Sequence, residues 1–117
     1  VWGTGAASRE YLYVDDAADA IVRAADVDVA AEPINLGADR EVTIKETVET
    51  IARLVGFDGE LRWDATKPDG QPRRAVDGTR ARELLGWTPA MDFEQGLRTT
   101  IDWYLANRAD AERDPAG

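Results

Sequence analysis

The stretch Asp64-Ala65-Thr66-Lys67-Pro68-Asp69-Gly70-Gln71-Pro72-Arg73-Arg74 holds the densest set of chemically useful groups in the chain. Two prolines and a glycine restrict its shape while Lys67, Arg73 and Arg74 project cations from it. Such a loop can grip a phosphate group through charge-assisted hydrogen bonds. A solvated surface loop would carry the same residues equally well. Arg9 follows the glycine-rich run Val1-Trp2-Gly3-Thr4-Gly5-Ala6-Ala7-Ser8 and is a second candidate arm for the same anion. The alternative is an exposed cation paired with Glu10 or Asp16. Trp2 can stack on or border a ligand, or it can anchor a core.

Other chemistries find less support. Asp15 and Asp16 form a carboxylate pair, but they precede a helical pattern, where acidic residues cap the first turn. Gly3-Thr4-Gly5-x-x-Ser8 falls short of a dinucleotide fingerprint. It lacks the third glycine, has only two residues before it and opens a strand instead of a helix, so it reads as a flexible loop. The chain contains no histidine and no cysteine. That excludes zinc fingers, zinc hydrolases, Ser-His-Asp hydrolases and Cys-His proteases, and no metal-binding residue is assigned.

At 117 residues, with 44% apolar and 32% charged residues, the chain has the size and composition of one globular domain. Fourteen basic against 23 acidic residues give a net charge of −9. Such a surface repels nucleic acid and anionic lipid, so neither is an expected partner. Twelve of the cations are Arg and only two are Lys, and Arg suits bidentate phosphate contacts. No apolar run is long enough for a membrane helix. The opening Val-Trp-Gly has neither an initiator Met nor a signal pattern, so the chain is expected to be part of a longer cytoplasmic protein.

The surrounding pattern is α/β, with short strands and amphipathic helices. Arg9 to Val14 alternates as a strand, followed by a helix capped by Asp15 and Asp16 with Val14, Ala18, Ile21, Val22 and Ala25 on one face. Ile34 to Gly37 and Glu60 to Trp63 read as two further strands, and 65–76 as an aperiodic loop. Thr43-x-x-Glu46 is a capping box for a helix bearing Ile44, Val48, Ile51 and Val55 and stopped by Gly56. A short helix over Thr79 to Leu85 ends at Gly86. Asp92-x-x-Gln95 caps a last helix with Phe93, Leu97, Ile101, Tyr104 and Leu105 on its apolar face. Trp63, Trp87 and Trp103 are expected to pack inside, and a polar tail at 110–117 to fray. So little sheet cannot cover so many apolar helix faces. A missing partner domain, an exposed apolar patch and self-association of the isolated chain follow as expectations.

Three blocks carry a resemblance. Val1-Trp2-Gly3-Thr4-Gly5, Arg9-Glu10-Tyr11-Leu12-Tyr13-Val14-Asp15-Asp16 and Ile34-Asn35-Leu36-Gly37 resemble the extended short-chain dehydrogenase/reductases of the NAD-dependent epimerase/dehydratase family that act on nucleotide sugars. Asp64 to Arg74, with Asp77, Thr79-Arg80 and Leu84-Leu85-Gly86-Trp87, is similar to the GDP-L-fucose synthase branch. The resemblance reaches about Asn107. It implies a two-domain oxidoreductase and isomerase. Its Rossmann domain binds NADP(H) and carries Ser, Tyr and Lys, and a smaller C-terminal portion binds the nucleotide sugar. It further implies epimerisation of GDP-4-keto-6-deoxymannose followed by reduction with NADPH, usually in a homodimer.

By the same resemblance, residues 1–109 correspond to the substrate-binding portion, without the N-terminal Rossmann domain. Trp2, Arg9 and Arg74 then lie at the sugar nucleotide, with Asp69 a further candidate. Arg74 stands where the branch often has Lys, which keeps the charge and changes the hydrogen-bond geometry. No Tyr has a Lys four residues on: Tyr11 meets Asp15, Tyr13 meets Ala17 and Tyr104 meets Arg108. No catalytic or cofactor-binding residue is therefore assigned within this chain. Two alternatives stay open: part of another nucleotide-sugar 4-epimerase or dehydratase, or a stand-alone, non-catalytic module that binds a sugar nucleotide or docks on a partner.

Overall fold

The computed structural model describes residues 1–28 and 32–113. The order of elements is β1 (Ser8–Glu10), α1 (Val14–Ala25), β2 (Glu41–Thr43), α2 (Ile44–Leu54), β3 (Arg73–Arg74), α3 (Thr79–Leu85), α4 (Phe93–Ala106) and α5 (Arg108–Ala111). The three strands form one mixed sheet in the order β2-β1-β3. β1 runs antiparallel to β2 and parallel to β3. The α/β class expected from sequence is the one observed.

Helix boundaries follow their local signals. The Thr43 hydroxyl accepts the Glu46 amide at 3.0 Å and starts α2. The reciprocal half of the expected box is not formed, because the Glu46 carboxylate accepts from Arg40 at 2.6 Å instead. Asp92 caps α4 by accepting the Glu94 and Gln95 amides. Gly86 takes φ +57°, a left-handed conformation that ends α3 and turns the chain back. That reversal brings Trp87 beneath the helix, where Trp87 is 3% exposed.

The core is small. Ala20 of α1 and Ala81 of α3 are fully buried together with Leu85 and Trp87, and Leu12, Ala24, Ile34 and Leu36 pack around them. Alanine at both contact positions lets the two helix backbones approach closely. α2 and α4 are tied at the surface by Arg53, whose two Nη atoms donate to the Glu94 carboxylate at 2.9 and 2.8 Å.

Several expectations are corrected. Ile34 to Gly37 and Glu60 to Trp63 are not strands, because neither finds a strand partner among the described residues. Their neighbourhood contributes only an isolated bridge between Trp2 and Asp64. The strands β2 and β3 arise instead where β1 offers its two edges. Residues 11–13 leave the sheet, and Tyr13 is the N-cap of α1 with no side-chain cap bond. Asp16 does not cap the helix; its Oδ2 accepts the amides of Ala90 and Met91 at 3.2 and 2.9 Å and fastens α1 to the segment that precedes α4.

The apolar face of α1 is also reversed. Val14, Ile21 and Val22 are 69%, 63% and 66% exposed, while Ala20 faces the core. Trp103 is 58% exposed and is not a core residue. Trp63 is half-buried against Gly5. The polar stretch from Asp110 begins inside α5, and its last residues, 114–117, lie outside the described residues.

Candidate functional site

The parallel pairing of β1 and β3 sets the site. Ser8 lies opposite Arg73 and Arg9 opposite Arg74. The Ser8 amide donates to the Pro72 carbonyl at 2.9 Å and fixes that register. Successive strand residues point to opposite faces, so Arg73 and Arg74 diverge, and Arg74 shares a face with Arg9.

The two neighbouring arginines have different surroundings. Arg73 donates Nε and Nη2 to the Glu41 carboxylate, at 3.0 and 2.5 Å, and Glu41 also accepts the Ser8 hydroxyl at 2.8 Å. The Arg73 hydrogen bonds, and then the Ser8 hydroxyl, hold the Glu41 carboxyl below its ordinary range, while Glu41 raises the Arg73 guanidinium. Arg73 is thereby committed to stitching β3 to β2. Arg9 instead donates Nη1 to two carbonyls, Ser8 at 2.6 Å and Gln71 at 2.9 Å. Carbonyls orient the guanidinium without cancelling its charge. The expected alternative, pairing with Glu10 or Asp16, is not what forms. Glu10 accepts the Val76 amide, and Asp16 accepts those of Ala90 and Met91. Among the described residues, Arg9 and Arg74 make no ion pair.

The glycine-rich segment lies beside this strand pair and is held, not loose. The Gly3 amide donates to the Asp64 carbonyl at 2.9 Å, and the Asp64 amide to the Val1 carbonyl at 2.8 Å. The Asp69 carboxylate accepts the Thr4 amide at 2.5 Å, the Thr4 hydroxyl at 2.7 Å and the Gly5 amide at 3.3 Å. The Thr4 hydroxyl, and then its amide, hold the Asp69 carboxyl below its ordinary range. Gly3 has φ +82° and packs so tightly that a Cβ would collide with the Asp69 carboxylate. Only glycine fits both conditions.

This hydrogen bonding also bears on a dinucleotide. The Gly3, Thr4 and Gly5 amides are all engaged within the protein, and the segment leads into β1 and not into a helix. A pyrophosphate cradle needs free amides at a helix start. The glycine segment therefore does not fit NADP(H).

Trp2 is 73% exposed, so it is not a core anchor. Lys67 places its ammonium 5.6 Å from the centroid of the Trp2 ring, covering part of it with positive charge. The sequence-predicted residues are thus brought to one region in two groups. Arg9 and Arg74 stand on the strand pair, and Trp2 and Asp69 stand at the adjoining loops. Sequence reasoning counted Lys67 among the cations but missed its place over Trp2, and it missed the Gln71 carbonyl, a backbone group with no residue-type signal.

Residues 1–37 match the NAD dependent epimerase/dehydratase family. The chain is 50% identical over 107 residues to GDP-L-fucose synthase 1 of Arabidopsis thaliana, a match covering 92% of this chain and 33% of that protein. Its similarity to GDP-L-fucose synthases extends to that of Escherichia coli, at 40% identity over 92% of this chain and 36% of that protein. The same likeness holds in three dimensions. A GDP-L-fucose synthetase from Naegleria fowleri bound to NADP superposes with a TM-score of 0.86 at 28% identity, over 97% of this chain and 36% of that one. A UDP-glucose 4-epimerase from Thermotoga maritima with UDP-glucose gives 0.83 at 28% identity, over 92% and 35%. The chain spans about a third of the length of the curated relatives it matches. Among the described residues no helix is long and apolar enough to cross a membrane, and no group of acidic side chains is placed to hold a metal ion.

Proposed function

We propose that this chain is the nucleotide-sugar-binding portion of a GDP-L-fucose synthase-like enzyme. In such an enzyme a separate Rossmann portion supplies NADP(H) and the Tyr/Lys pair for epimerisation and reduction of a GDP-4-keto-6-deoxymannose. One observation carries the reading: Arg9 and Arg74 are side by side in strand register, and among the described residues neither makes an ion pair. The diphosphate bridge of a nucleotide sugar carries about two negative charges and suits two guanidinium groups. Binding energy collected there, remote from the sugar, would hold the sugar for chemistry supplied by the other portion.

The similarity to a UDP-glucose 4-epimerase favours a second reading, in which the nucleotide is UDP. Titration of the whole enzyme with GDP and UDP separates the two. Tighter binding of GDP is the expected result, and a preference for UDP refutes the fucose synthase assignment. Binding of neither refutes both.

A further inference from the structure

We infer that Asp69 is a positioning residue: its carboxylate lashes the loop bearing Trp2 to the loop that delivers Arg74, and so sets where Trp2 stands relative to the arginine pair. The inference rests on the nucleotide-sugar reading above and assigns Asp69 a role inside that site, as an organiser and not a ligand.

The backbone leaves a gap that something must close. The first and last segments of the two loops are joined by main-chain contacts, at Trp2 and Asp64 and again at Ser8 and Pro72. Between those points Asp69 supplies the tie. All three of its donors belong to the opposite loop, at Thr4 and Gly5. Two residues further on, the Gln71 carbonyl accepts from Arg9. The short run from Asp69 to Gln71 therefore holds the Trp2 loop with a side chain and Arg9 with a carbonyl.

Electrostatics argues against direct contact with the ligand. A carboxylate facing a diphosphate would repel it. Here the negative charge is turned toward two amides and a hydroxyl, leaving the cations of the site unopposed. The close packing at Gly3 adds a steric constraint, since the loop seats against Asp69 without room for a side chain.

A double-mutant cycle in the whole enzyme tests this, read below the melting temperature of every variant. Asp69→Ala and Thr4→Val remove the two ends of one hydrogen bond. Each is expected to raise the dissociation constant of GDP about three- to tenfold, with the double variant no worse than the weaker-binding single. Asp69→Asn keeps an acceptor for the amides and should retain most of the affinity. Unchanged GDP affinity in Asp69→Ala overturns the proposal. So does an Asp69→Asn as damaging as Asp69→Ala beside a silent Thr4→Val, because the charge itself would then meet the ligand. Hydrogen exchange at the Gly5 amide provides the second arm: it should accelerate in Asp69→Ala, and unaltered exchange overturns the lash. If the unsubstituted enzyme fails to bind GDP, the functional reading falls, and the exchange arm still decides the role of Asp69.

Discussion

Arg74 stands directly across from Arg9 on the neighbouring parallel strand, while Arg73, one residue earlier, is tied to Glu41 on the opposite face. Two adjacent arginines in the sequence therefore have separate duties. The first ties β3 to β2 through Glu41, and the second makes no ion pair among the described residues.

Substitution should separate those duties. Arg9→Ala and Arg74→Ala are each expected to weaken GDP binding by about 1.5–3 kcal/mol, the loss of a charge-assisted hydrogen bond. Arg73→Ala should leave GDP affinity within about twofold, because Arg73 already faces Glu41. Calorimetric titration of the three variants checks the pattern. Equal losses at Arg73 and Arg74 would contradict the alternation of the strand.

Trp87 carries much of a small core. Trp87→Ala should destabilise the fold by about 3–5 kcal/mol, and Leu85→Ala by about 2–5 kcal/mol, since each opens a cavity against Ala20 and Ala81. Against a typical total of about 5–15 kcal/mol, either change approaches complete unfolding. Urea denaturation followed by circular dichroism measures both. A loss below 1 kcal/mol at Trp87 would mean that the core lies elsewhere.

The outer stripe of α1 should make the isolated chain adhesive. Val14, Ile21 and Val22 are exposed together on one helix face. The chain alone is expected to self-associate and to bind a dye specific for apolar surface. Ile21→Lys with Val22→Glu should reduce both effects, as read by sedimentation velocity and dye fluorescence. A monomer free of dye binding before substitution would refute the expectation.

Acid should loosen the site before neutral pH does. Asp69 and Glu41 are both held below their ordinary values of 3.8 and 4.5, Asp69 chiefly by the Thr4 hydroxyl and Glu41 chiefly by Arg73. Depressed carboxyls stabilise the fold above the unfolded values and lose that contribution as pH falls through the folded ones. Melting temperature should therefore hold steady from pH 7 to about 5 and decline below the ordinary carboxylate range. Asp69→Asn should flatten the decline, and added salt should shrink the part due to the exposed Arg73–Glu41 pair. A variant as acid-sensitive as the parent would show that other groups govern it.

The sequence by itself determined the starts of α2 and α4 and the end of α3, because those signals are local. Thr43 and Asp92 reach amides two or three residues away, and Gly86 stops α3 by its own backbone conformation. It also marked Trp2, Arg9, Asp69 and Arg74 as candidates by charge, aromaticity and resemblance. Only the tertiary structure decided the sheet. Strands of two or three residues have no readable period and exist through partners far along the chain, so local pattern marks neither β2 nor β3 and points instead to Ile34 to Gly37 and Glu60 to Trp63. Tertiary contact likewise chose the alanine face of α1 over its larger apolar stripe, since close packing against Ala81 admits only small side chains. It also set Arg73 and Arg74 on opposite faces and turned Asp69 toward Thr4. Each of these depends on which distant backbone group happens to be in reach, and residue types alone do not encode that distance.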